Sequence, residues 1–262
     1  MTYKWNPTEY QISSSNQKRW GKELLSKIKF KGNEKVLDIG CGDGKLTASI
    51  VQKVPQGFVI GIDSSEDMIN LAKKNFPAEI YPNLIFIVKD ARKIDFEEEF
   101  DIVFSNACLH WIVDHLPILE KIKRSLKSSG KIFLQMGGKG NAAGIVEILE
   151  YLIRNKKWAK FFKNFSFPYG FYSDKEYKEW LRIVGFKIKR VELIEKDMVH
   201  EDEGKFASWI RTTWLPYTQR IPEELRENFI KEVIKNYIEK HPPDGKGFIH
   251  VKMIRLDIEA KK

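Results

Sequence analysis

Short, continuous apolar runs punctuate the first half of the chain at Val36–Gly40, Phe58–Asp63, Leu84–Val88, Phe100–Ser105 and Lys131–Met136. Runs of that length, rich in β-branched residues, are what strands buried on both faces require. Between them, apolar positions recur at three- and four-residue spacing over Gly44–Lys53, Ser65–Asn75 and Asp114–Leu126, which predicts helices with one buried face. The segment Ser64-Ser65-Glu66-Asp67 adds a capping hydroxyl and first-turn acids to the second of these. Strand and helix in alternation predict a doubly wound α/β sheet.

After Met136 the rhythm changes. Gly137-Gly138-Lys139-Gly140-Asn141 is a flexible exit from the fifth strand. A helical pattern covers Ala142–Phe162, an aromatic loop Phe165–Tyr172 and a further helix Asp174–Val184, before Phe186–Ile194 alternates like a strand. Helices are expected over Phe206–Trp214 and Pro222–Glu239, the latter opened by Pro222 with Glu223 and Glu224. Phe248–Ile258 alternates apolar and polar, as a late antiparallel strand does. The expectation is a seven-stranded sheet, its last strand antiparallel, with helical insertions over its carboxyl edge.

Composition narrows the class. With 262 residues and 42% hydrophobic positions, the chain can bury a full core as one domain. No apolar run approaches the roughly 18 residues a bilayer span needs, and the first residues lack a signal-type apolar stretch. Two cysteines, Cys41 and Cys108, make no disulfide framework and fit a reducing compartment, so a cytoplasmic protein without a membrane partner is expected. The formal charge of +9 comes from lysine, 35 residues against ten arginines, with a local surplus over Tyr151–His200. Lysine excess without arginine excess reads as a solvated surface rather than a nucleic-acid reading head.

The chemistry is concentrated in Val36-Leu37-Asp38-Ile39-Gly40-Cys41-Gly42-Asp43-Gly44. A buried strand runs into three glycines at alternate positions and then a helix, so a ligand can approach the backbone and the free N–H groups of a helix start. The next strand ends in Asp63, 21 residues beyond Gly42, where ribose hydroxyls arrive at a switch point. A dinucleotide loop would want glycine at position 45, which is Lys45, so a pyrophosphate ligand is disfavoured. Asp38, Asp63 and Asp90 stand at the ends of three successive strands and offer acceptors rather than an anion nest.

LDIGCGDG, followed by GIDSSEDMI, VKDARKIDF and FDIVFSNACLHW, resembles the class I S-adenosylmethionine-dependent methyltransferases. The resemblance covers about the first 136 residues and implies a Rossmann-like sheet, S-adenosyl-L-methionine as cofactor and S-adenosyl-L-homocysteine as product. It further implies that Asp38, Gly40 and Gly42 lie against the methionine part, that Cys41 between them belongs to the cofactor-binding set, and that Asp63 grips the ribose hydroxyls. By the same resemblance Ser64 and Met68 flank the adenosine, Asp90 and Ala91 meet the adenine edge, and the backbone of Asn106 faces the amino-acid end. Outside the core the chain is similar to the trans-aconitate methyltransferase-like subgroup. There, Tyr10 and Ser13–Trp20, including Gln17, match a helix that closes over the cofactor. Leu109-His110-Trp111, Ser208–Arg211, Trp214-Leu215 and His241–Gly245 match as well. Residues 1–30 are then a lid, 31–136 the cofactor-binding core, and 137–185 with 200–245 the substrate-binding cap.

Other chemistries fit less well. His110 and His115 are five apart, not on one helix face, and no cysteine or histidine cluster completes a metal site, so no metal is expected. Cys108 follows Ala107, without the proline of a pyrimidine-carbon methyltransferase, and Ser105-Asn106-Ala107-Cys108 lacks the Pro-Pro-aromatic of nucleic-acid amino-methyltransferases. The expected activity is methyl transfer to a carboxylate oxygen of a small organic acid, with His110, Trp111, Arg211 and Trp214 positioning the substrate in a monomer or homodimer. Arg220 and Arg255 are the further carboxylate-binding candidates. The alternatives are an RNA or protein methyltransferase and a non-catalytic cofactor-binding regulator; the intact glycine loop and Asp63 disfavour the second.

Overall fold

A computed structural model describes residues 15–262. Tyr10, Ser13 and Ser14 of the expected lid lie outside them; helix α1 (Ser15–Ser26) follows directly. The core alternates β1 (Lys35–Ile39), α2 (Lys45–Val51), β2 (Phe58–Asp63), α3 (Glu66–Asn75), β3 (Leu84–Val88), β4 (Phe100–Asn106), α4 (Leu116–Ser125) and β5 (Leu126–Gly137). Then come α5 (Ala143–Arg154), α6 (Asp174–Val184), β6 (Lys187–His200), α7 (Glu203–Thr213), α8 (Leu215–Thr218), α9 (Glu223–Lys240) and β7 (Ile249–Lys261).

The seven strands lie in the order β3-β2-β1-β4-β5-β7-β6. β1 to β5 are parallel, and β7 runs antiparallel to β5, from Lys131 opposite Lys261 to Gly137 opposite Arg255. The chain winds outward from β1 to β3 and restarts at β4 on the other side of β1. The carboxyl ends of β1 and β4 therefore flank the crevice where open α/β sheets bind ligands. Strand alternation divides the core between the sheet's two faces. Val36, Val59, Phe104 and Phe133 pack with Leu24, Ile50 and Ile69 of α1–α3, while Leu37, Val103, Ile132 and Leu134 pack with Ile118, Ile122 and Leu181 of α4 and α6. Just beyond α1, Lys27 ties this end of the molecule to the fully buried Asp257 of β7 at 2.6 Å.

The chain forms two compact units. One comprises Gln17–Lys139, Tyr169–Ile194 and Arg255–Lys262; the other contains Gly140–Pro168 and Glu195–Ile254. The stretch 169–194 thus groups with the core, its Tyr177 and Leu181 being part of the main apolar cluster. The long helix expected over Ala142–Phe162 is corrected to α5 plus a short turn at Ala159–Phe161, because Asn155 leaves the helix and its side-chain oxygen accepts from Lys157 N at 3.1 Å. β5 and β6 are longer than their apolar runs, and α8 separates from α7 at Trp214 with Pro216 in its first turn. In the second unit, Trp158, Phe162, Phe165, Tyr217 and Phe229 form a chain of edge-on and tilted rings.

Candidate active site

Three glycines follow β1, and each does something different. Gly40 and Cys41 donate their N–H groups to Ile62 O at 2.8 and 3.0 Å, joining the loop to β2. A Cβ on Gly40 (φ 76°) would lie 2.3 Å from the Cβ and Sγ of Cys108, so this position is glycine for close packing. Gly44 is similarly pressed against Phe86, 2.7 Å from a hypothetical Cβ. A Cβ on Gly42 (φ 53°) would meet nothing within 4 Å. Gly42 is the glycine that opens onto free space.

Asp63 borders that opening, and Asp38 and Asp90 stand at the neighbouring strand ends. Asp63 accepts from Gly42 N through Oδ2 (3.1 Å) and from Ser65 N through Oδ1 (2.9 Å), which leaves a lone pair on each oxygen for a hydroxyl donor. Burial raises its pKa against the pull of those N–H groups. Asp38 is fully buried and accepts from Thr47 Oγ1 at 2.7 Å; burial, with a smaller push from Asp63, raises its pKa to about 7. Asp90 caps the turn Ala91–Lys93 through Arg92 N (2.8 Å), and the Arg92 guanidinium, 2.5–3.1 Å away, holds its carboxyl below the usual range. Ser65 rather than Ser64 caps α3, accepting from Met68 N at 3.3 Å; Met68 and Ala91 are buried and Ser64 is exposed.

At the end of β4, Asn106 donates through Nδ2 to Gln17 O at 3.1 Å, fixing α1 to the strand end. The side-chain oxygens of Asn106, Gln17 and Gln135 are buried without a hydrogen-bond partner. Such orphans cost about 1–3 kcal/mol each unless a ligand supplies the donor. Ala107 follows with φ 55°, a left-handed conformation that costs a non-glycine residue about 1–2 kcal/mol and marks a strained turn at the site. Burial and the charges of Asp63 and Asp38 push the Cys108 thiol well up, and Cys41 behaves likewise, so neither is a thiolate.

His110 is buried, and burial, helped by Arg255, drops its pKa far below the usual imidazole value. Its Nδ1 accepts from Gly137 N at 3.4 Å, which puts the single ring proton on Nε2. Around it stand Trp111, Tyr169 and Phe171, with centroids 5.8–6.3 Å away, and Tyr169 stacks on Phe171 at 7°. Gly170 N donates to His110 O at 2.9 Å, and a Cβ there would lie 2.5 Å from Ile112 O, so the 169–171 loop is tightly seated. Sequence reasoning missed Tyr169 and Phe171; their signal was the aromatic loop Phe165–Tyr172.

The remaining candidates are placed otherwise. Arg211 and Trp214 belong to the second unit. There Arg211 makes a bidentate pair with Glu227, 2.8 Å from Nε and from Nη2, and Trp214 is buried against Trp209. Arg220 lies over the Phe165 ring, 5.0 Å from its centroid. Arg255 is buried in the core unit with its guanidinium 5.3 Å from the Trp20 centroid. His115 is fixed by Tyr177 OH (2.5 Å) and Ile112 O (2.7 Å), and burial lowers its pKa to about 4. Among the described residues no three metal-ligating side chains converge, and no helix is long and apolar enough to cross a membrane.

Comparison with known proteins agrees with this geometry. A family model described as a methyltransferase domain matches residues 30–185. A protein of Invertebrate iridescent virus 6 carrying a methyltransferase name is 31% identical over 89% of this chain and 85% of its own length. Trans-aconitate 2-methyltransferase of an Escherichia coli strain is 27% identical over 98% of each chain. The fold of Haemonchus contortus phosphoethanolamine N-methyltransferase 2, solved with phosphomonomethylethanolamine and S-adenosylhomocysteine, superposes with a TM-score of 0.60 at 20% identity, over 98% of this chain and 57% of that one. A strand–glycine loop–helix with acceptors at three strand ends, matched by that family over more than half its length, places this chain in the methyltransferase domain family as an S-adenosylmethionine-dependent methyltransferase.

Proposed function

We propose that the enzyme methylates a carboxylate oxygen of a small organic acid, and that the core-unit residues described above hold the cofactor. One observation carries the acceptor class: the titratable groups beside the β4 end that could serve as a base are neutral and proton-bearing. His110 has its only basic nitrogen turned to Gly137, and Cys108 keeps its proton. An amine or hydroxyl acceptor would need a base, whereas a carboxylate is ionised at neutral pH and needs none. Similarity to trans-aconitate 2-methyltransferase over 98% of both chains supports the same reading.

The residues fit the cofactor. The two spare lone pairs of Asp63 suit a pair of ribose hydroxyls, the space at Gly42 admits a ligand against the backbone, and Ser64, Met68, Asp90 and Ala91 line the direction of the base. Asp38 and the buried amide oxygens of Gln17 and Asn106 are acceptors suited to an ammonium. The bound cofactor supplies an electrophilic methyl carbon on a cationic sulfur. His110 and Trp111, with Tyr169 and Phe171, form a dry wall that orients the acceptor and excludes water. Attack of an anion on a cation cancels charge in the transition state, so water exclusion lowers the barrier.

A screen of cofactor consumption against dicarboxylic and tricarboxylic acids, fatty acids and total RNA tests the proposal. The expected result is product with at least one small acid and none with RNA. Faster methyl incorporation into RNA or protein than into any acid overturns it and moves the acceptor to a macromolecule.

A further inference from the structure

Between Glu150 and Asp174 the chain carries no acid, yet Arg154, Lys156, Lys157, Lys160 and Lys163 crowd into one short stretch of it. Local hydrogen bonds wind this stretch tightly: Trp158 N donates to Asn155 O at 2.9 Å, Phe161 N to Trp158 O and Phe162 N to Ala159 O, both at 3.0 Å. The turn has a buried side and an exposed side. Trp158, 1% exposed, donates through Nε1 to Glu232 and packs edge-on to Phe229, while Phe162 tilts against Tyr217. Lys156, Lys157, Lys160 and Lys163 are all exposed. Arg154 and Lys157 pair with Glu150 and Glu232, whereas Lys156, Lys160 and Lys163 have no carboxylate partner among the described residues. Arg220 brings one more cation, its Nη1 donating to Lys163 O at 3.4 Å. Aromatic rings stand among these charges. Lys160 Nζ lies 4.9 Å from the centroid of the half-buried Phe161, and Tyr151 and Phe167, which bracket the stretch, are 59% and 38% exposed.

We propose that the face carrying Lys156, Lys160, Lys163 and Phe161 docks the enzyme peripherally on an anionic lipid surface. The choice of cation favours lipid over nucleic acid. Arginine forks read phosphates and bases, and the one arginine of the stretch is engaged by Glu150. Lysine instead lays an apolar stem along apolar material and keeps its ammonium at the charged level, as a headgroup layer requires. Aromatic rings at the height of those ammoniums suit the boundary between headgroups and acyl chains. Buried Trp158 and Phe162 hold the turn in place, so little ordering is needed on contact. The expectation of no membrane partner follows from the lack of a spanning run, and a peripheral contact needs none. The proposal is independent of which acceptor is methylated.

The test is co-sedimentation of the full chain with vesicles of phosphatidylcholine alone and of phosphatidylcholine with phosphatidylserine at about three to one. Wild type should partition onto the mixed vesicles at least about tenfold more strongly, and come off as salt rises from about 0.1 to 0.5 M. A lysine near an anionic surface is worth about fivefold in partitioning, so the triple variant Lys156→Gln, Lys160→Gln, Lys163→Gln should lose on the order of 100-fold. The triple change of the same three lysines to arginine keeps the charge and should stay within about threefold of wild type. A third variant, Lys29→Gln with Lys53→Gln and Lys74→Gln, removes the same charge from exposed positions of the core unit and should also stay within about threefold. Melting temperatures identify a variant that has failed to fold, in which case Lys160→Gln alone, with its loss of about fivefold, decides. Equal losses in the two glutamine triples overturn the proposal, because net charge rather than this face is then responsible. Equal partitioning onto both vesicle types also overturns it. So does binding of total RNA through these lysines with the vesicles left unbound, which moves the face to a nucleic acid.

Discussion

The two compact units treat their polar side chains in opposite ways. At the strand ends of the core unit, Asp63 keeps spare lone pairs, and the oxygens of Gln17, Asn106 and Gln135 are buried with no partner. In the unit containing Gly140–Pro168 and Glu195–Ile254, the polar groups are spent on one another. Arg211 takes Glu227, Tyr217 OH donates to Glu150 at 3.2 Å, Trp158 Nε1 donates to Glu232 at 2.7 Å, and His250 bridges Asp197 and Asp244. Its buried orphans, Trp209 Nε1 and His200 Nε2, sit together in an aromatic cluster with Phe206. Unspent hydrogen-bonding capacity in a buried place is destabilising unless a ligand uses it, so the acceptor oxygens gathered at the core-unit strand ends fit the proposed cofactor site.

The glycine loop gives the largest expected contrast. Gly42→Val should cost about 1–2 kcal/mol of stability, from the left-handed backbone alone, but weaken cofactor binding by on the order of 100-fold or more, because its side chain enters the open space. Gly40→Ala should do the reverse, losing about 3 kcal/mol or more of stability through contact with Cys108. Thermal melts and calorimetry on both variants check this, and equal binding by Gly42→Val would break the comparison.

Asp38 sharpens it. As a buried acid with a pKa near 7 against roughly 3.9 unfolded, it holds a proton in the folded state that the unfolded chain releases. Its contribution to stability is therefore full below about pH 4 and is lost as pH rises toward 7, while the carboxylate needed for an ammonium appears only near and above 7. Asp38→Asn, still able to accept from Thr47, should raise the melting temperature of the ligand-free protein at pH 8 by a few degrees and weaken cofactor binding about tenfold. Wild-type affinity should decline below pH 7 and the variant's should not.

Arg211→Ala carries the smallest effect. Its pair with Glu227 is partly exposed, the carboxylate side chain 56% so, and such pairs are worth about 1 kcal/mol or less. Activity should stay within about threefold of wild type. A fall near 100-fold in kcat/KM would return Arg211 to the acceptor site, where sequence reasoning puts it.

The difference in legibility between the two units follows the same line. Parallel strands buried on both faces write themselves as apolar runs, so β2 and β3 match their predicted bounds residue for residue, and the acids at the strand ends are marked by position. What joins the site from far along the chain leaves no local mark. Tyr169 and Phe171 reach His110 because Gly170 permits close approach to Ile112. Arg211 looked available because Glu227, sixteen residues on, gives no sign in sequence of folding back to meet it. The break of the Ala142–Phe162 helix at Asn155 is a side-chain competition that periodicity does not register.

Titration calorimetry of S-adenosylmethionine into wild type and Asp63→Ala tests the central claim most directly, with a melt to establish that the variant is folded. Asp63 accepts from the backbone at Gly42 through Oδ2 and at Ser65 through Oδ1, which sets its carboxylate against the Gly42 opening. Removing an acceptor of two hydroxyls should weaken binding by about 2–4 kcal/mol, which is roughly 30- to 800-fold. A folded Asp63→Ala that binds S-adenosylmethionine as tightly as wild type would contradict the assignment of the cofactor to these strand ends.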